Sequence, residues 1–108
     1  CYEEGGRGVL ARRGQQVTLD AEGGRQVVTF ADEDVLAQVI HQDDWNTYQV
    51  VARGARMATR INGYLMHEVI DESPEARRDG VLAIQIHTGP AMRIRFDDMV
   101  LRSFTDGE

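Results

Sequence analysis

The spacing of apolar residues changes period near residue 45, and that change divides the chain. Ahead of it, residues 1–16 hold only the Val9-Leu10-Ala11 triplet among glycines, arginines and other polar residues, a pattern that predicts loop. Val17-Thr18-Leu19-Asp20 and the β-branched run Val27-Val28-Thr29-Phe30 predict two short strands joined by a turn at Ala21-Glu22-Gly23-Gly24. Leu36, Val39 and Ile40 then share one face of a helix of two or more turns within 32–42. Asp32 suits its N-cap, and Glu33 and Asp34 suit the positive end of its dipole.

From Trp45 onward the period is two, and residues 45–104 are expected to form antiparallel strands. Tyr48, Val50 and Ala52 alternate with Thr47, Gln49 and Arg53; Gly54-Ala55 turns the chain; Met57, Thr59 and Ile61 alternate with Arg56 and Arg60. Asn62-Gly63 tolerates positive φ at both residues and predicts a type I′ hairpin into Tyr64–Ile70. Ser73-Pro74 has the form of a capped helical turn, closed by Gly80. Val81–His87 predicts a strand with Leu82, Ile84 and Ile86 on one face and Ala83, Gln85 and His87 on the other. After Thr88-Gly89-Pro90 a last strand spans Met92–Phe104, bulged at Asp97-Asp98 to keep Ile94, Phe96, Met99 and Leu101 in phase. Roughly five or six strands without βαβ alternation predict an all-β antiparallel sandwich.

Composition removes several function classes. The chain has 108 residues and a formal net charge of −6, which fits one domain and not a nucleic-acid footprint. All 12 basic residues are arginine, so a Walker loop, a Schiff base and a lysine general base are impossible. Cys1 is the only cysteine, leaving no internal disulfide and no thiolate zinc site. No apolar run reaches the roughly 20 residues of a membrane helix, and no signal peptide opens the chain.

Two stretches carry a recognisable pattern. They are Asp44-Trp45-Asn46-Thr47-Tyr48 through Gly54 with Ile61-Asn62-Gly63, and Gly80 through Phe96 with its His-Thr-Gly-Pro-Ala-Met core at 87–92. Together they resemble the C-terminal half of the 3-keto-disaccharide hydrolase domain family, formerly a domain of unknown function. Tyr2-Glu3-Glu4-Gly5-Gly6-Arg7-Gly8 resembles the tyrosine, acid and Gly/Arg-rich stretch of the middle of such domains. The resemblance implies a concanavalin A-like jelly-roll sandwich, a carbohydrate ligand, and a bacterial protein that is periplasmic or secreted. Family domains are about twice this long. Residues 1–108 are therefore expected to be the C-terminal half of a larger sandwich domain, needing its N-terminal half or a second chain to cover open strand edges.

His87 is the sharpest candidate. It faces away from Leu82, Ile84 and Ile86, its pKa suits proton transfer, and the resemblance implies a catalytic role; without the resemblance, a strand-end histidine bonded to the next loop is the simpler account. Gln85 beside it, Arg93 and Arg95 on the last strand, Glu3 in the acidic loop and Trp45 as a stacking platform are candidate substrate contacts. Each also has an ordinary structural explanation as a solvated or edge residue. No cofactor motif is present. Asp43-Asp44 and Asp97-Asp98 could supply hard oxygen ligands for a divalent metal such as Ca²⁺, as could a carboxylate of Glu3 or Glu4, yet acidic pairs at strand ends are usually solvated. By resemblance the complete domain cleaves 3-keto glycosides by C2 proton abstraction, elimination and hydration. The alternative is a non-catalytic carbohydrate-binding sandwich, since fold does not fix function.

Overall fold

The computed structural model describes residues 1–85 and 88–104, which fall into two units, 1–78 and 79 onward. Among the described residues, the first unit holds all the regular structure. A two-stranded ribbon, β1 (Tyr2–Glu3) and β2 (Gly8–Val9), precedes β3 (Gln15–Leu19), β4 (Arg25–Thr29), α1 (Glu33–Ala37), β5 (Tyr48–Arg53), β6 (Arg56–Ile61) and β7 (Tyr64–Asp71). The five long strands make one sheet in the order β4-β3-β7-β6-β5. The chain is all-β, in antiparallel and mixed sheets with one short helix, and is consistent with a sandwich fragment.

Local chemistry explains most of these elements. Asp20 Oδ1 accepts from Glu22 N and Gly24 N at 3.0 and 2.7 Å, an Asx turn that closes the β3–β4 hairpin. At the β5–β6 turn only Gly54 takes positive φ, as the II′ class requires. At the β6–β7 turn Asn62 and Gly63 take φ of 53° and 84°, the I′ hairpin expected from the sequence. Asp32 caps α1 by accepting from Asp34 N and Val35 N. The helix is shorter than the two or more turns expected: it spans five residues, and Val39 and Ile40 lie beyond it.

The strands β3 and β7 pair in parallel, which hairpin reasoning did not anticipate. This pairing joins the β3–β4 hairpin to the β5–β6–β7 meander. It also brings the start of β3, the end of β4, the start of β5 and the Asn62-Gly63 turn to one end of the sheet. The connection from β4 to β5, with α1, runs along that end. There Asn62 Nδ2 donates to Val39 O and Asn46 Oδ1, both at 2.8 Å, while Asn62 Oδ1 accepts from Thr47 N at 2.9 Å.

One sheet face carries the core. Val17 pairs with Val69, and Leu10 and Ala11 of the N-terminal segment pack on them with Cys1 and Leu19 at the margin. The other face carries a polar row: Gln16 Nε2 donates to Glu68 Oε1 at 2.7 Å, and Arg56 Nε lies 3.7 Å from the same oxygen.

The second unit departs from the expected pattern. None of its described residues is in a strand, so neither 81–85, the described part of the first predicted strand, nor Met92–Phe104 forms the strand that alternation predicts, and the Asp97-Asp98 bulge has no strand to interrupt. The sheet's one irregularity instead separates Thr59 from Arg60. Within this unit Val81, Leu82, Met92, Val100 and Leu101 are exposed, Val81 by 94%. Alternation supplies an apolar face but no hydrogen-bonding neighbour, and without a neighbour no strand is defined. Ser73-Pro74 likewise yields only a turn, in which Ala76 N donates to Ser73 O.

Candidate functional site

A cleft of about 370 Å³ opens within the first unit. The N-terminal segment (Tyr2, Val9, Ala11, Arg12, Arg13), Glu33 of α1, and Tyr48, Thr59, Ile61, Met66 and His67 of the sheet all contribute to its lining, as does Cys1. Its size suits a small ligand, at the lower end of the usual range.

Three local features set its shape. Gly14 turns the chain from Arg13 into β3 with φ of 87°, donating to Met66 O and accepting from Phe30 N. A Cβ at Gly14 would collide with the Ala31 carbonyl, so glycine is required here by space as well as by φ. Asn62 fixes Thr47 from both sides, because Asn62 N donates to Thr47 O at 2.8 Å while its Oδ1 receives Thr47 N. That pins the start of β5 and hence Tyr48.

The third feature is the register shift in the β6–β7 pair. A two-residue turn pairs Ile61 with Tyr64 and Arg60 with Leu65, and would continue by pairing Thr59 with Met66. Instead Thr59 pairs with His67, so β7 carries one extra residue there. The shift sets Thr59, which is 4% exposed, directly beside His67 in the cleft.

His67 Nδ1 is buried and has no hydrogen-bond partner, the only such side-chain atom among the described residues. Burial lowers the His67 pKa from 6.5 to about 4, and the positive amino group of Cys1 works in the same direction. The ring is therefore neutral near pH 7, with one nitrogen able to donate and the other to accept.

Glu3 is committed elsewhere. Arg7 donates through Nε and its backbone N to Glu3 Oε1, each at 3.0 Å, and Arg7 Nη2 lies 2.8 Å from Glu3 Oε2. Arg7 also contacts Asp71 Oδ2 at 2.8 Å and donates to Ser73 Oγ at 3.1 Å. The guanidinium hydrogen bond holds the Glu3 carboxyl down to about 2. Burial pushes the Asp71 carboxyl up, but hydrogen bonds from Arg7 and Ser73 outweigh it and leave the pKa below its ordinary value. This cluster ties the N-terminal ribbon to the end of β7.

Trp45 is 57% exposed and does not line the cleft. Its backbone is held by Asp44 Oδ1 on N and by His41 Nδ1 on O. Gln85, Arg93 and Arg95 are exposed on irregular backbone of the second unit. His87 lies outside the described residues. Among the described residues no three His, Cys, Asp or Glu side chains gather to hold a metal ion, and no helix is long and apolar enough to cross a membrane. Sequence reasoning passed over His67, Tyr48 and Thr59. Tyr48 and Thr59 were visible as strand residues, but the register shift that joins Thr59 to His67 leaves no mark in the periodicity.

The sheet topology is consistent with an all-β sandwich fragment, and the sheet carries a concave, mixed polar and aromatic cleft. A family model described as a 3-keto-alpha-glucoside-1,2-lyase-like domain matches residues 8–102, and the chain belongs to that family. No curated protein matches the chain, and no solved structure does.

Proposed function

We propose that the chain acts in the cleavage of glycosides already oxidised to a ketone at C3 of the sugar. The family match across residues 8–102 carries this proposal. A C3 ketone acidifies the proton on C2, and a base removes it to leave an enolate. The enolate electrons re-form the ketone and a C1–C2 double bond as the glycosidic oxygen leaves C1 with its bonding pair. Water then adds across that bond, its oxygen to C1 and a proton to C2, so the net change is hydrolysis. Such chemistry needs a base at C2, a donor for the enolate oxygen and an acid for the leaving group.

His87 is our proposed proton carrier. Gln85, Arg93 and Arg95 are proposed sugar or enolate contacts, an assignment supported by their exposure, and Trp45 is proposed as a stacking surface. Glu3 would reach substrate only by releasing Arg7, so we give it a positioning role. The exposed apolar residues of 81–104 support a larger sandwich whose further strands, in the same protein or a partner, cover them.

The test is product release from 3-keto-trehalose and from trehalose by the chain and by His87→Ala. We expect cleavage of the keto sugar only, and a loss of roughly 10²-fold in the variant. Binding of 3-keto-trehalose without any turnover would replace this proposal with a carbohydrate-binding module.

A further inference from the structure

We propose that Asn62 is a site of spontaneous deamidation that the fold itself gates, reacting only when the β6–β7 turn parts from residues 39–47. Neither the proposed reaction nor the cleft bears on this site.

The chain has two asparagines, and their neighbours differ. Asn62 precedes Gly63, which has no Cβ to crowd its backbone nitrogen and is exposed. Asn46 precedes Thr47, whose branched Cβ hinders the same approach. In the reaction Gly63 N attacks Asn62 Cγ, and the new N–C bond closes a succinimide ring. The Cγ–Nδ2 bond breaks, and ammonia leaves with the proton from Gly63 N. Water then opens the ring at either carbonyl, leaving aspartate or, with the backbone rerouted through Cγ, isoaspartate. No reactant other than water is required.

The fold restrains the amide that must move. Val39 O can only accept and Thr47 N can only donate, so the Asn62 amide has one orientation. Its Nδ2 donates to Val39 O and Asn46 Oδ1, and its Oδ1 accepts from Thr47 N. Cγ cannot swing onto Gly63 N until these bonds release. Asn46 is fixed in turn: its Oδ1 accepts from His41 N at 2.7 Å, and its Nδ2 donates to His41 O at 3.0 Å. Turning either amide therefore cannot absorb the change. Aspartate at 62 is acceptor-only at neutral pH and would set its oxygens against Val39 O and Asn46 Oδ1, two further acceptors. Isoaspartate would lengthen the backbone inside a two-residue turn and lose the pairing of Ile61 with Tyr64. Either product keeps the connection from β4 to β5 from closing again, so a brief opening becomes a lasting one.

The experiment incubates the full chain at neutral pH, in buffer and in unfolding urea, and follows tryptic peptides by mass spectrometry. Cleavage after Arg60 and Arg77 gives 61–77, in which Asn62 is the only amide side chain. We expect that peptide to gain one mass unit in urea. In buffer the gain should be slower by roughly 10-fold or more, because only the locally open fraction reacts. The peptide that carries Asn46 should lag behind it in urea. Asn46→Ala removes one of the three restraints on the Asn62 amide and should raise the rate in buffer several-fold, towards that in urea. Asn62→Asp, the direct product, should unfold at lower urea than the parent. Equal rates for the parent in buffer and in urea overturn the proposal, because the fold then gates nothing. An unmodified 61–77 peptide in urea overturns it too, and both results come from the parent alone, whether or not a variant folds. A parent-like urea midpoint for Asn62→Asp would overturn the lasting opening.

Discussion

Residues 48–71 and 81–104 carry the same kind of alternating pattern, yet among the described residues only the first stretch forms sheet. In 48–71 two tight turns, Gly54-Ala55 and Asn62-Gly63, hand each strand its neighbour within two residues. Ala58, Met66 and Val69 are buried as a result. In 81–104 neither Gly80 nor Gly89 takes a positive φ, and Pro90 lacks a donor. Leu82 and Leu101 remain exposed. Alternation states which face could be buried; a neighbouring edge decides whether a strand exists.

The strongest attempt to break this comparison places a charge in each stretch's apolar row or the core beneath it. Val17→Asp sets an unpaired carboxylate where Val17 is fully buried and should cost more than about 4 kcal/mol, enough to unfold the sheet. Leu82→Asp should change stability by no more than about 0.5 kcal/mol. Urea titration followed by circular dichroism decides it, and a comparable cost at Leu82 would reveal a second core.

Next in size is the turn. Asn62→Ala removes three side-chain hydrogen bonds and puts alanine at φ of 53°, and should cost about 2 kcal/mol. Asn62→Gly keeps the conformational freedom and loses only the bonds, so its stability should fall between those of the parent and Asn62→Ala. Equal costs in the two variants would show that φ contributes nothing there.

A smaller effect is expected at the ribbon. Arg7→Met breaks the contacts to Glu3, Asp71 and Ser73 and should cost about 1 kcal/mol, the scale of a partly exposed ion-pair network. High salt should shrink the difference between parent and variant. An unchanged difference at 1 M salt, where screening acts over roughly 3 Å, would assign Arg7 a packing role.

The last effect is a pH dependence. His67 titrates near 6.5 when unfolded and near 4 when folded, so between those values the unfolded chain binds more protons. Stability is then highest above about 6.5 and falls as pH drops toward 4. Glu3 and Asp71, whose pKa values folding lowers, extend the loss to more acid pH, Glu3 down to about 2. Thermal melts of His67→Asn should lack the upper phase and keep the lower one. An identical profile in parent and variant would mean that folding does not perturb His67.

Several features were readable because each depends on residues close in sequence. The I′ turn follows from Asn-Gly, the α1 cap from Asp32, and the β3–β4 hairpin from two β-branched runs flanking a glycine-rich turn. The family resemblance was legible too, from the Trp45 and His87 stretches. The helix length was misjudged because apolar spacing at Val39 and Ile40 fits a helix as well as the looser turns they occupy, where each N–H reaches back only three residues.

Local periodicity and turn chemistry, then, settle which segments of this chain can be strands and where they reverse, since both act over a few residues. Only the tertiary structure decides that β3 lies parallel to β7, that β7 holds one extra residue opposite Thr59, and that Arg7 spans from Glu3 to Asp71. Those choices bring together residues far apart in sequence, and their free energy comes from burial and pairing that exist only once the sheet has formed. The same reason hid the cleft: His67 joins its lining through its neighbours, not through its own place in the pattern.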